Sequence, residues 1–230
     1  MAKSRHAKRV EGNDAFAIKD CALVALATGK KAQQLQEFRN EVASINTASI
    51  YHHFWGGLLQ PRFEEREYNN DFASWVRHGI HDAVLAEQLS ALDPTSFTNL
   101  DSLRQEIVEL VDARLDEAEH LYWMRATQPF EFVRSQIVVF DTEKSLTHPS
   151  ELVSAISDLS ISSIFYHFID ARRRTRDTTD DFTNWLGIYK SEYQPLIEIL
   201  SDLDPYFSSL NELRERLSKL FSDFFMESTS

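Results

Sequence analysis

The sequence is poor in glycine and proline, with 6 of each among 230 residues. A turn-rich all-β fold needs more of both, so their scarcity excludes that class and favours long helices. A single cysteine, Cys21, excludes an intramolecular disulfide and fits a reducing compartment. The sequence also lacks an apolar run of about 18 residues, so no membrane-spanning segment is expected. We therefore expect a cytoplasmic protein without membrane contact.

Positive charge is also in short supply. The sequence has 24 Lys and Arg against 36 Asp and Glu, a formal net charge of −12. Nucleic acids and anionic membranes would be repelled by such a surface, which makes both poor candidates as partners. Apolar residues make up 43% of the chain, which is enough for a substantial core.

The sequence contains two segments that match each other. Residues 16–54 align without a gap on residues 130–168, and both segments carry a Ser-Ile-aromatic-Xaa-His-Phe motif. Further on, each half has an Asp-Phe-Xaa-Xaa-Trp motif and then a Leu-Asp-Pro motif. We therefore predict a flexible N-terminal arm at 1–15, repeat 1 at 16–115, a helical connector at 116–129, repeat 2 at 130–225 and a C-terminal tail at 226–230.

Helical periodicity dominates both repeats. Apolar residues at helical spacing predict a helix over about 35–46 and a longer one over about 71–92. Asp71 and its counterpart Asp181 stand where an N-cap residue would accept hydrogen bonds from free backbone N–H groups. These two residues are thus expected to begin a helix in each repeat.

The stretch that opens each repeat, 16–26 or 130–140, contains enough β-favouring residues for a short strand. The predicted fold is therefore mainly α: an internally duplicated helical fold with pseudo-two-fold symmetry and room for one short β-strand per repeat. The two repeats are expected to share one core.

Two histidines and two tryptophans occupy matching positions in the repeats. A symmetric histidine pair often has a structural role, with each imidazole bonded to backbone groups. The alternative is a ligand pocket, because aromatic walls with a few polar groups are typical of small-molecule sites. The candidate ligand-binding residues are His53, Trp75, His167 and Trp185.

A second candidate site is confined to repeat 1. His78 and His81-Asp82 fall on one side of the predicted helix, and His53 precedes them. The order resembles the metal-binding pattern of HD-type phosphohydrolases, in which imidazoles and carboxylates hold a divalent metal. The alternative interpretation is a solvated helix flank. No cofactor is expected under that interpretation, whereas the metal site would need a divalent ion.

Four arginines lie close together in repeat 2, just before a group of aspartates: Arg172, Arg173, Arg174 and Arg176. Such a cluster can bind phosphate or an acidic partner. The neighbouring aspartates can equally neutralise it within a solvated loop.

The motifs at 51–57, 70–75, 81–82 and 92–94 together resemble an uncharacterised prokaryotic family, a domain of unknown function with two internal repeats. This resemblance spans nearly the whole chain but implies no activity and no catalytic residue.

These observations favour a cytosolic helical binding or regulatory module. It would act through a groove between the duplicated halves and contact a protein partner or a small anionic ligand. The alternative function is a metal-dependent phosphohydrolase that uses His53, His78, His81 and Asp82 as ligands and the arginines to hold phosphate.

Overall fold

The computed structural model describes residues 15–60, 67–175, 177–204, 206 and 209–227. Nearly all of the predicted N-terminal arm and the end of the predicted tail lie outside these residues. The chain divides into two compact units. We call Ala22–Val138 the central unit, and Met1–Cys21 together with Val139–Ser230 the terminal unit.

Two long strands form an antiparallel sheet. They are β1, Phe16–Gln34, and β2, Arg125–Leu146, with 19 and 22 residues. Threonine hydroxyls fix the register: Thr28 Oγ1 donates to the carbonyl of Phe132, and Thr142 Oγ1 donates to the carbonyl of Ile18, both at 2.6 Å.

The predicted fold class is therefore wrong. The protein is an α+β protein with 59% helix and two long strands, and not a mainly α, internally duplicated helical fold with a short strand per repeat. Ala-rich residues such as those at 22–27 are compatible with either helix or strand, so the sequence did not show that the strands continue through them.

Helices make up most of the rest of the described chain. The central unit has α1 Leu35–Ser44, α2 Thr47–Trp55, α3 Asp71–Trp75, α4 Ala83–Ser90 and α5 Leu100–Glu117. The terminal unit has α6 Leu152–Asp158, α7 Ile161–Ile164, α8 Ala171–Arg174, α9 Asp181–Gly187, α10 Gln194–Ser201 and α11 Leu210–Glu227. Short π-helical turns lie at Val76–Ile80 and Phe165–Asp170, and 3-10 turns lie at Glu119–Tyr122, Pro149–Glu151 and Lys190–Tyr193.

An aromatic cluster forms the core of the central unit. Phe38 of α1 packs against Phe72 of α3 at 5.3 Å between ring centroids, and against Phe130 of β2 at 5.5 Å. All three rings are buried. Burying one such side chain contributes roughly 1.5–3 kcal/mol relative to leaving it in water, so this cluster holds helices and strand together.

The terminal unit has a similar core. Phe16 of β1 stacks on Phe182 of α9 with 5.3 Å between ring centroids, and Phe182 contacts Phe221 of α11. On α11, Leu213, Leu217 and Phe221 are fully buried at a spacing of four residues, as one face of a helix requires. That face packs against α6.

The helix predicted over 71–92 is interrupted. After the π-helical turn, His81 adopts a left-handed conformation with φ of 66°, and α4 begins at Ala83. Asp82 caps α4 by accepting a hydrogen bond from the Leu85 amide at 2.8 Å. The apolar pattern continues through the interruption, so periodicity alone did not reveal it.

Candidate functional site

In the central unit, a buried histidine connects a helix to a strand. His53 of α2 accepts a hydrogen bond from the Val133 amide of β2 at Nε2, at 3.2 Å. Since Nε2 acts as the acceptor, the imidazole proton is on Nδ1, which donates to Asp71 at 3.0 Å. Ser49 Oγ donates to the Val133 carbonyl at 2.7 Å. Both backbone groups of Val133 are thus held by side chains of α2.

The terminal unit has the same arrangement. His167 accepts a hydrogen bond from the Lys19 amide of β1 at Nε2, at 2.9 Å, and its Nδ1–H donates to Asp181 at 2.8 Å. Ser163 Oγ donates to the Lys19 carbonyl at 2.6 Å. Arg174 donates to the same Asp181 oxygen at 2.9 Å, which balances the negative charge of the carboxylate.

A cleft lies beside each of these histidine–aspartate pairs. The cleft in the terminal unit, which we call the Trp185 cleft, has a volume of about 320 Å³. The cleft in the central unit, the Trp75 cleft, has about 260 Å³. These volumes are at or below the lower limit of typical ligand pockets. The Trp185 cleft brings together the predicted residues His167 and Trp185. Trp75 lines the other cleft with Asp71, the partner of His53.

The predicted metal ligands are not brought together. His78 is exposed and lies 2.9 Å from Glu67, whereas Asp82 is buried and paired with Arg114 at 2.9 Å. Within the described ranges, the one close group of three metal-ligating side chains is His52, His53 and Asp71. Because both ring nitrogens of His53 are engaged in hydrogen bonds, its imidazole has no lone pair left for a metal ion.

The arginine cluster is largely compensated inside the terminal unit. Arg173 and Arg174 both donate to Asp170, which is fully buried. The Arg172 guanidinium lies 5.0 Å from the centre of the Phe168 ring. Arg176 lies outside the described residues. The charges of Arg173 and Arg174 are therefore compensated by a buried carboxylate of the same unit, and these ion pairs contribute to the fold.

A different surface is conspicuous in the central unit. After the 3-10 turn at Glu119–Tyr122, Trp123 is 83% exposed and Tyr122 is 37% exposed. Leu121, between them and α5, is buried and anchors the turn. Three exposed carboxylates precede the aromatic pair. We call this surface the Trp123 patch; it consists of Tyr122, Trp123, Asp116, Glu117 and Glu119.

The model of the DUF5752 family, a family of unknown function, matches residues 13–222. The chain belongs to this family. The expected resemblance to an uncharacterised family is thus confirmed at the level of the family, and membership assigns no activity. No curated protein matches the chain.

A solved structure has a similar fold. OrfY from Thermoproteus tenax superposes with a TM-score of 0.79, covering 91% of this chain and 94% of its own, at 23% identity. At this identity the similarity shows the fold alone. In the described part of this family member, no helix is long and apolar enough to cross a membrane.

Sequence reasoning missed the two aspartates that are hydrogen-bonded to the histidines. It assigned Asp71 and Asp181 as N-caps, whereas Asn70 and Asp180, one residue earlier, cap α3 and α9 through the amides of Ala73 and Thr183. Asp71 and Asp181 instead accept the histidine protons. The recurrence of both a histidine and an aspartate in the matching segments was the signal for this pairing.

Proposed function

We propose that the protein is a binding module whose partner is another protein, contacted at the Trp123 patch. The observation that carries the proposal is the 83% exposure of Trp123 beside the exposed Tyr122. Tryptophan and tyrosine are the residues most often found as anchors at the centre of protein interfaces. An exposed pair of them next to each other is a surface that burial by a partner would stabilise.

The charge around the patch indicates the chemistry of the partner. Asp116, Glu117 and Glu119 are exposed members of the patch, on a chain with a formal net charge of −12. Glu117 is paired with Arg114 at 3.2 Å, so the negative charge comes mainly from Asp116 and Glu119. A complementary surface has an apolar pocket for the indole and lysine or arginine at its rim. Nucleic acids and anionic membranes carry the same sign as these carboxylates, so a protein with a basic surface is the better partner.

The groove expected from the sequence is not part of this proposal, since it depended on a duplicated helical fold that the structure overturns. The phosphohydrolase alternative stays a prediction. Its metal ligands lie in separate surroundings, with Asp82 paired to Arg114 and His53 bonded through both ring nitrogens. The geometry of the described residues therefore gives no support to this particular metal site.

Site-specific photocrosslinking tests the proposal. A benzoylphenylalanine in place of Tyr122 is irradiated in host cells, and the crosslinked protein is identified by mass spectrometry. The matched control carries the same group in place of Met226, which is 68% exposed and lies on α11. We expect a defined product at position 122 whose mass is absent at position 226. Equal, diffuse crosslinking at both positions would contradict the proposal.

A further inference from the structure

The Trp185 cleft has two walls of different origin within the terminal unit. One wall belongs to β1 and includes Phe16 and Lys19; the other belongs to the helices and includes His167, Asp181 and Trp185. The hydrogen bond from the Lys19 amide to His167 Nε2, at 2.9 Å, directly connects the two walls. We call this bond, with the His167–Asp181 bond behind it, the His167 latch.

The latch requires a neutral imidazole. An amide N–H can only donate, so Nε2 must offer its lone pair to Lys19 while Nδ1 carries the proton. A protonated imidazole carries N–H groups at both nitrogens and has no acceptor. Proton uptake would thus replace a hydrogen bond by two N–H groups that face each other, in a position where His167 is 2% exposed.

Charged and titratable groups surround His167. Asp181 accepts the Nδ1–H, and Arg174 donates to the same carboxylate oxygen. The other such groups near the imidazole are Lys19 with its partner Asp141 on the strands, and Tyr166 and Asp170 on its own helical turn. Among the side chains named here, that of Asp181 is the one hydrogen-bonded to the ring.

We infer that the His167 latch is a proton-sensitive device: the neutral imidazole holds the β1 wall of the Trp185 cleft to its helical wall, and protonation of His167 releases it. The release is local. The Lys19 carbonyl keeps its bond from Ser163 at 2.6 Å, and Phe16 stays stacked on Phe182. Acidification is therefore expected to loosen the cleft wall at Lys19 without unfolding the unit.

Amide hydrogen exchange of the full chain, followed by NMR from pH 7.5 downward until the ring ¹⁵N shifts of His167 stop changing, tests the latch. After correction for the intrinsic pH dependence of exchange, we expect protection of the Lys19 amide to fall about tenfold, as for the loss of one buried hydrogen bond. The ring ¹⁵N shifts of His167 should show an unprotonated Nε2 at neutral pH, and their midpoint should coincide with that of the Lys19 change.

Two variants complete the test. In His167→Gln the protection of Lys19 should no longer depend on pH, because glutamine does not titrate. In His78→Gln, which removes an exposed titratable imidazole instead, the wild-type pH response should remain. A pH-independent Lys19 amide in the wild type, or a ring with its proton on Nε2, would overturn the inference. So would a response that persists in His167→Gln. The wild-type measurements decide the matter even if His167→Gln does not fold.

Discussion

His53 and His167 engage both ring nitrogens within their own units, each joining a strand amide to an aspartate. The sequence identified both residues as a matched pair and weighed a structural role against a ligand pocket. It could not show which backbone amides they would meet, because those amides lie on strands distant in sequence. A contact between a side chain and a remote backbone group leaves no local pattern.

Asp82 provides a direct stability test at the residue scale. Its carboxylate is buried and accepts hydrogen bonds from Arg114 Nε and Nη2, at 3.1 and 2.9 Å to Oδ2. Removing the charge of Asp82 weakens its hydrogen bonds to Arg114, whose remaining partner is the exposed Glu117 at 3.2 Å. Asp82→Asn is therefore expected to lower the free energy of unfolding by about 1.5–3 kcal/mol, measured by urea denaturation. Asp101→Asn, at a side chain 76% exposed, should cost less than about 1 kcal/mol.

The pH dependence of this pair has a defined sign. Burial alone would raise the pKa of Asp82, but the hydrogen bonds from Arg114 and the Leu85 amide hold it below the ordinary carboxyl value. The stabilising contribution is thus fully present above the unfolded pKa of about 3.9, and it is lost as the pH falls through the lowered folded pKa. The stability difference between wild type and Asp82→Asn should shrink over that acidic range; a constant difference would contradict this account.

Replacing glycine by alanine should change the stability of the protein in opposite directions at two positions. A Cβ on Gly79 would lie 3.0 Å from the Trp75 ring, which is fixed by its Nε1 donating to the Gln128 carbonyl. Gly79→Ala should therefore destabilise the protein by about 1–3 kcal/mol. Gly187, at the end of α9, has open space where the Cβ of an alanine would lie, so Gly187→Ala should stabilise the protein by about 0.4–1 kcal/mol. Thermal unfolding of both variants measures this, and equal effects would refute it.

At the scale of elements, periodicity predicted the helix near 35–46, and α1 indeed spans Leu35–Ser44. Periodicity did not reveal the length of the strands. Alternation of apolar and polar residues is clear around Phe130 and Phe132, but the Ala-rich middle of β1 has no definite period. Periodicity also failed at His81, where the chain turns through a left-handed residue. There, the capping bond of Asp82 to the Leu85 amide is local, but the ion pair of Asp82 with Arg114 of α5 is tertiary and is not visible in the periodicity of the sequence.

A helix cap offers a test at this scale. Asn99 begins the 18-residue α5, and its side chain accepts a hydrogen bond from the Ser102 amide at 2.9 Å. Asn99→Ala should lower the free energy of unfolding by about 1 kcal/mol, since one orphan N–H at the helix start loses its acceptor. Gln105→Ala, at an exposed position further along the same helix, is the control and should change stability by less than about 0.5 kcal/mol. Equal effects in urea denaturation would contradict the assigned cap.

At the scale of the whole molecule, composition correctly indicated a folded protein with a substantial core. The family match places the chain in a family of unknown function. The Trp123 patch could not be found from the sequence, because exposure depends on where β2 begins and on the burial of Leu121. Aromatic residues in a sequence are read as core by default.

Loss of the Trp123 side chain is expected to weaken binding without lowering the stability of the fold. Trp123 is 83% exposed, so Trp123→Ala should change the free energy of unfolding by less than about 0.5 kcal/mol. If the indole instead supported the fold, the variant would lose stability in urea denaturation. This control is needed before any loss of binding is attributed to the patch.

The most direct test of the account is the affinity of the crosslinked partner, purified and titrated by calorimetry against the wild type, Trp123→Ala and Met226→Ala. We predict that Trp123→Ala weakens binding by at least about 30-fold, the loss of an interface anchor. Met226→Ala, at another exposed apolar side chain, should bind like the wild type. Equal affinities of the wild type and Trp123→Ala would contradict the claim that this protein binds its partner through the Trp123 patch.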